Sequence, residues 1–361
     1  MSLAITPMPL SQIARWAQGR LDAAPDSDPL IDAVETDTRA FGAGASTLFV
    51  ALRGERFDGN DHVAAATACG ARAALVSRPS DAGIAQIVVD DTQTALAMWA
   101  GAVQRARSGA VVGITGSNGK TGVKELTRTI LSRLGPTYAN PGNRNNEIGL
   151  PLSVLSAPED SRYVIYEMGA GKPGDIAWLT AVARPQVALV NNVAPAHLER
   201  MGSLFGIAET KAAIYEALPA DGTAIINADD PYGPYLADLA RTAGVTRIAR
   251  FGEAGTADFR LVRFQKLDDG ANMEARIDGT NVDVRIASSG RHIAQNMLAV
   301  LGAVDLVGAD LGKAAEALSG WRTGKGRGAR HDVPAGSGII RVIDESYNAN
   351  PASMRAAIAV L

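Results

Sequence analysis

The chain has 361 residues, 35 Lys plus Arg against 38 Asp plus Glu for a net charge of −3, 47% apolar residues and a single cysteine, Cys69. The length exceeds one small module of roughly 100 to 200 residues. The balanced charge offers no basic surface for nucleic acid, and one cysteine cannot close an intrachain disulfide. No basic leader precedes an apolar run and nothing approaches the ~18 apolar residues of a membrane span, so the reading is a cytoplasmic protein without membrane insertion.

In chain order, residues 1–108 read as one small α/β domain. Apolar runs predict strands at 47–52 (TLFVAL), 73–77 (AALVS) and 86–89 (QIVV), with a helix over the Ala-rich 61–70 and an amphipathic helix over 92–107. After a small-residue linker at 106–110 the pattern changes to apolar strands alternating with helices. VVGIT leads to 120–134, YVIYEMG to 175–183, VALVNNV to 209–218 and TAIINAD to 235–243. Strands apolar throughout are covered on both faces, which predicts βαβ units in a doubly wound parallel sheet. Alternating runs between 258 and 287 predict antiparallel hairpins, and helices follow at 293–307 and 311–319. The Gly-rich TGKGRGARHDVPAGSG then reads as a break before a strand, IIRVID, and a helix from Pro351.

VVGITGSNGKTGVKELTRTIL joins an apolar strand to a helix through a Gly-rich loop ending in Lys120 and Thr121. Glycines let backbone N–H groups curl around phosphate oxygens, and the helix N-terminus adds partial positive charge. A Lys at this position reaches the β- and γ-phosphates and a hydroxyl ligates Mg2+. Gly116, Ser117, Asn118, Gly119, Lys120 and Thr121 are therefore the candidate nucleotide loop. The spacing is GxxGxxGKT, with Ile114 where the strict GxxxxGK[ST] pattern has its first glycine and Gly113 one residue earlier.

Glu167 ends the strand YVIYEMG, on the side of a doubly wound sheet where ligands sit, and a carboxylate there suits a hard cation such as Mg2+. A solvated strand-end carboxylate is the alternative. His197, in NNVAPAHLERMG, follows the next strand, and spacing alone leaves it open as a ligand or as a packed or capping residue. Lys211, in AETKAAIYEAL, sits early in a helix, where local sequence favours a solvated face. NPGNRNNEIGLP crowds Asn140, Asn143, Asn145 and Asn146 into one loop. Such amides orient phosphate oxygens, sugar hydroxyls or the loop itself.

Taken together, GITGSNGKT, NPGNRNNEIGLP, YEMGAGKPGDI, NNVAPAHLERMGS, INADDP, GRHIAQNMLAV and DESYNANPASM resemble the Mur ligase superfamily. The amide-rich loop and SYNANP point within it to the MurF-type branch, which adds D-alanyl-D-alanine to UDP-N-acetylmuramoyl-tripeptide. The resemblance spans nearly the whole chain. It implies three domains: 1–108 for the UDP-substrate, 109–332 as the central ATPase, and 333–361 as the beginning of a Rossmann-like C-terminal domain for the amino substrate. TDTRAFGAG and TLFVALRGERFDGNDH match the UDP-substrate pattern, placing Thr38, Arg39, Ala51, Leu52, Arg53 and Gly54 there, with Asn143, Asn145 and Asn146 as further contacts. Lys120 and Thr121 carry over to phosphate and a first Mg2+, Glu167 to a shared Mg2+ position and His197 to a second Mg2+.

Lys211 occupies the carbamylated-lysine position of the family; taking up CO2 turns a neutral amine into an anionic oxygen ligand. Asn296 matches the residue used near adenine, although Ile293 stands where the pattern has another Asn. Arg327, Arg330, Asp344, Tyr347 and Asn348 are candidates for closing over ribose and phosphate. The implied reaction phosphorylates the tripeptide carboxylate with ATP and lets the D-alanyl-D-alanine amine displace phosphate, on a monomer without a covalent protein nucleophile. Two alternatives stay open: a related ligase with another amino substrate, and a nucleotide-binding module without turnover. Because residues 333–361 hold only one strand and part of a helix, the reading expects a shortened chain that binds ATP and UDP-substrate but ligates weakly.

Overall fold

A computed structural model of the chain describes residues 2–22, 28–42, 44–267, 270–287, 290–319, 321, 324, 326, 328–347 and 351–359. They form two compact units, Met1–Gly109 with Asn140–Ser161 and Ala181–Arg184, and Ala110–Ala139 with Arg162–Thr180 and Pro185–Leu361.

Up to Gly109 the elements are β1 (Leu3–Pro9), α1 (Leu10–Trp16), β2 (Arg20–Asp22), β3 (Leu30–Glu35), β4 (Thr47–Val50), α2 (Val63–Ala68), β5 (Ala73–Val76), β6 (Ala85–Val88) and α3 (Thr92–Ala106). One six-stranded sheet has the order β1-β3-β4-β5-β6-β2, parallel from β3 to β6 with an antiparallel strand at each edge. β4 and β5 are buried at every residue, which is why both read as unbroken apolar runs. β1 gives no such signal because it contains Pro7 and Pro9, which an edge strand tolerates. Asp91 caps α3 by accepting from the Thr94 N–H at 2.7 Å, and Trp99 in that helix is fully buried.

From Ala110 onward the strands are β7 (Ala110–Thr115), β8 (Thr137–Ala139), β9 (Tyr163–Glu167), β10 (Val187–Val190), β11 (Thr223–Asn227), β12 (Arg247–Gly252), β13 (Phe259–Leu267), β14 (Gly270–Ile277), β15 (Thr280–Ile286), β16 (Ala329–Ala335) and β17 (Gly338–Asp344). The helices are α4 (Lys120–Leu131), α5 (Gly149–Ser156), α6 (Asp175–Ala183), α7 (Leu198–Met201), α8 (Leu204–Ala212), α9 (Gly233–Thr242), α10 (Arg291–Leu306), α11 (Leu311–Leu318) and α12 (Pro351–Ile358). Nine strands make one sheet, β15-β14-β13-β12-β11-β10-β7-β9-β8. It is parallel from β8 to β13, and the two antiparallel ladders extend the same sheet. The chain passes from β9 on one side of β7 to β10 on the other, so β7 marks a topological switch point, and its carboxyl end is where such sheets bind ligands.

Beyond the elements before Thr47, none of which the sequence reading marked, two segments depart from it with a local cause. The run 329–335 lies inside the Gly-rich stretch taken as a break, yet it forms β16 and pairs with β17 from Ala329↔Asp344 to Ala335↔Gly338. Gly336, at φ 58°, supplies the left-handed residue of the connecting turn. The helix expected at 209–218 begins earlier, at Leu204, because Ser203 caps it by accepting from the Gly206 N–H at 3.0 Å.

Candidate nucleotide and metal site

β7 ends at Thr115, and the candidate phosphate loop runs from Gly116 into α4. Gly113, the outlying glycine of the motif, belongs to the strand: a Cβ there would meet Pro185 at 3.1 Å, so it serves packing, and the loop proper starts at Gly116. Gly119 sits at φ 80° and a Cβ on it would lie 2.6 Å from Asn191 Nδ2. Both its conformation and its crowding require glycine.

The crowding comes from the loop after β10. Asn191 Nδ2 donates to the Asn118 carbonyl and to Asn296 Oδ1, each at 3.0 Å, and Asn192 Nδ2 donates to the Asn118 carbonyl at 3.1 Å. The Asn118 N–H donates to Asn192 Oδ1 at 2.9 Å, while Ser117 Oγ donates to the Ala194 carbonyl at 2.8 Å. Asp230 in turn accepts from the Val193 N–H at 2.7 Å, and burial raises its carboxyl above the usual range. The phosphate loop is therefore held by side-chain amides, and Asn296 lies against it. The Lys120 ammonium donates to the Gly116 carbonyl at 2.8 Å, folded over its own loop, with the half-buried Thr121 beside it.

Glu167, only 3% exposed, pairs in register with Ile114, two residues before the loop. Thr115 Oγ1 donates to the Met168 carbonyl at 3.0 Å and the Met168 N–H to Ile114 at 2.8 Å, locking the two strand ends together. Across from Glu167 stands Lys124, fully buried, its Nζ 3.7 Å from Glu167 Oε2 and 3.4 Å from Glu125 Oε1.

Lys211 on α8 is buried rather than solvated, correcting what its local sequence favours. Burial, reinforced by the charge of Lys120, lowers its ammonium from 10.5 to about 7. His197 is exposed at the N-terminus of α7, in a left-handed conformation at φ 53°. Among the described residues no three His, Cys, Asp or Glu side chains gather as a metal-ligating group.

The other expected residues fall into two sets. In the first unit, Thr38 and Arg39 form a single turn capped by Asp37, which accepts from the Arg39 N–H at 3.0 Å. Ala51 and Leu52 are buried beyond β4, while Arg53 and Gly54 begin a loop closed by Gly54 N–H to the Phe57 carbonyl at 2.9 Å. The amide-rich loop belongs to the same unit. Asn146 Oδ1 accepts from the Gly149 N–H at 2.8 Å and Asn140 Nδ2 donates to the Arg144 carbonyl at 2.9 Å, so these two amides shape the loop. Asn143 is exposed and Asn145 half-buried. In the second set, Arg330 and Asp344 lie on β16 and β17 with Tyr347 just beyond, and Asp344 organises the turn by accepting from Gly326 and Ser346. Arg327 and Asn348 lie outside the described residues.

Residues 30–104 match the Mur ligase family catalytic domain and residues 114–304, more than half the chain, match the Mur ligase middle domain. The chain belongs to the Mur ligase family. Among Mur ligases it is 40% identical to the UDP-N-acetylmuramoyl-tripeptide--D-alanyl-D-alanine ligase of Escherichia coli, over 98% of this chain and 76% of that protein. The crystal structure of MurF from Acinetobacter baumannii superposes with a TM-score of 0.90 at 33% identity, covering 99% of this chain and 77% of that one. MurF ligase from Thermotoga maritima in complex with ADP gives 0.79 at 29% identity, over 91% and 74%. These relatives place the chain with the MurF type.

Sequence reasoning did not single out Lys124, Asn191, Asn192 or Asp230. The i, i+4 spacing of Lys120 and Lys124 and the paired amides of NNV were the available signals.

Proposed function

We propose that this Mur ligase is an ATP-dependent enzyme that joins D-alanyl-D-alanine to UDP-N-acetylmuramoyl-tripeptide, giving the pentapeptide precursor of peptidoglycan, ADP and phosphate. The observation that carries the reading is 40% identity, across 98% of the chain, to an enzyme named for that reaction. The site geometry agrees: a glycine-rich loop and a buried strand-end carboxylate stand side by side at the switch point of a parallel sheet.

The carboxylate of the tripeptide is a poor electrophile, so it is first phosphorylated, and the acyl phosphate is then attacked by the dipeptide amine. Loop N–H groups from Gly116 to Thr121 and the N-terminus of α4 cradle the phosphates, and Lys120 leaves its own loop carbonyl to neutralise them. A buried carboxylate and a hydroxyl at the start of α4 are oxygen donors suited to a hard cation, so Glu167 and Thr121 would hold Mg2+, with His197 and a carbamylated Lys211 serving a second ion. Bound Mg2+ would neutralise phosphate charge during transfer. Lys211 supports the carbamate reading because an amine near pKa 7 is substantially neutral at physiological pH and can take up CO2.

By the same reading residues 1–108, with Thr38, Arg39, Ala51, Leu52, Arg53 and Gly54, hold the UDP-substrate, joined by Asn143, Asn145 and Asn146. Residues 109–332 bind ATP, with Asn296 near adenine, and 333–361 begin the amino-substrate domain; from the boundary between them Arg330, and beyond it Asp344 and Tyr347, reach the nucleotide. The enzyme would act as a cytoplasmic monomer; among the described residues no helix is long and apolar enough to cross a membrane. Lys120→Ala should abolish acyl phosphate formation, measured by trapping with hydroxylamine. Wild-type trapping in that variant would overturn the assignment of the loop.

A further inference from the structure

Lys124 has no place in the reaction described above, yet it is among the largest fully buried side chains of the protein. It lies on α4 three residues after Thr121 and four after Lys120, so the three share one helical stripe. Its ammonium stands 3.7 Å from Glu167 Oε2 and 3.4 Å from Glu125 Oε1, and Glu125 is held from the other side by Arg128 at 2.8 Å. Desolvating such a pair makes a buried ion pair a poor source of stability, and apolar residues of similar volume would serve packing as well. What the pair does supply is orientation. A carboxylate at a strand end can turn about its side-chain torsions, and the ammonium, 3.7 Å away, draws one of its oxygens toward α4 by charge.

We propose that Lys124 is a positioning residue for the metal site: it sets the orientation of the Glu167 carboxylate, and so determines the affinity for the divalent cation. The proposal rests on the reading of Glu167 as a metal ligand. Lys124 itself touches neither nucleotide nor metal in this scheme.

The test is Mn2+ binding in the presence of ADP, read from the electron paramagnetic resonance of free Mn2+, beside ADP binding in EDTA by calorimetry. Groups that orient a metal ligand change affinity by about 10- to 100-fold when removed. Lys124→Met should therefore weaken Mn2+ at least about tenfold while leaving ADP affinity in EDTA within about twofold. In a Glu167→Gln background the same change should add nothing, because the residue through which Lys124 acts is already neutral. Lys124→Arg, which keeps the charge, should recover Mn2+ binding. Should Lys124→Met fail to fold, Lys124→Gln, whose amide can still donate to the carboxylate, and Lys124→Met/Glu167→Gln, which leaves no charge of the pair, carry the comparison against Glu167→Gln. Wild-type Mn2+ affinity in Lys124→Met or Lys124→Gln, or an equal loss in the Glu167→Gln background, would overturn the proposal. An unchanged Mn2+ affinity in Glu167→Gln alone would instead remove the metal-ligand reading beneath it.

Discussion

Replacing Lys211 by Met removes a buried group whose ammonium is lowered from 10.5 to about 7 by burial, with the charge of Lys120 adding to it. In the unfolded chain the amine keeps its ordinary value. Between pH 7 and 10.5 the unfolded state therefore binds more protons than the native one, and the stability of the parent protein rises with pH across that window. A tenfold loss of proton affinity on folding is worth about 1.4 kcal/mol. The buried lysine thus costs about 4 kcal/mol at pH 7.5 and about 1.4 kcal/mol at pH 9.5. Lys211→Met lacks this cost, so its advantage over the parent should shrink by about 2.5 kcal/mol between the two pH values, whatever constant offset the Met side chain adds. Urea unfolding in CO2-free buffer, read by pulsed hydrogen exchange on peptides from β7, β10 and β11, measures the difference within the second unit. A stability difference that stays constant between pH 7.5 and 9.5 would refute the reasoning, since it would mean that the native Lys211 ammonium is as well solvated as the unfolded one.

Two further outcomes follow from the same site. In 13C-bicarbonate the parent protein should show a carbamate resonance that Lys211→Gln lacks; identical spectra would remove the carbamate. Gly119→Ala places a side chain at φ 80° and 2.6 Å from Asn191 Nδ2. The left-handed conformation costs about 1–2 kcal/mol and a displaced amide hydrogen bond about 1 kcal/mol more, for a loss in ADP affinity of roughly 30- to 160-fold. Calorimetry finding parental ADP affinity in Gly119→Ala would show that the loop does not need this conformation.

The readily legible parts of the sequence are those where one local rule decides the outcome. TLFVAL, AALVS and VALV read as strands because both faces of each are buried, and GSNGKT reads as a phosphate loop because the strand, glycines and helix stand in one continuous stretch. β1 escaped notice because two prolines hide an edge strand, and β16 because its residues are mostly exposed and sit among glycines. The site was legible one strand at a time. Its coherence was not: the amides of Asn191 and Asn192 and the carboxylate of Asp230 bind segments separated by dozens of residues, and only the sheet order brings them to one edge. Lys211 shows the limit most clearly, since its helix looks solvated in sequence while packing around α8 buries it.

The central claim concerns which amine the acyl phosphate meets. The direct measurement gives the protein ATP, Mg2+ and UDP-N-acetylmuramoyl-tripeptide, adds D-alanyl-D-alanine, diaminopimelate, lysine or glutamate in turn, and follows phosphate release together with the mass of the nucleotide product. Stimulation by D-alanyl-D-alanine alone, with a product heavier by that dipeptide less one water, is the expected result at whatever turnover the chain supports. Stimulation by a free amino acid and not by the dipeptide would contradict the account, and nucleotide binding with no phosphate release under any pair would favour a binding module instead.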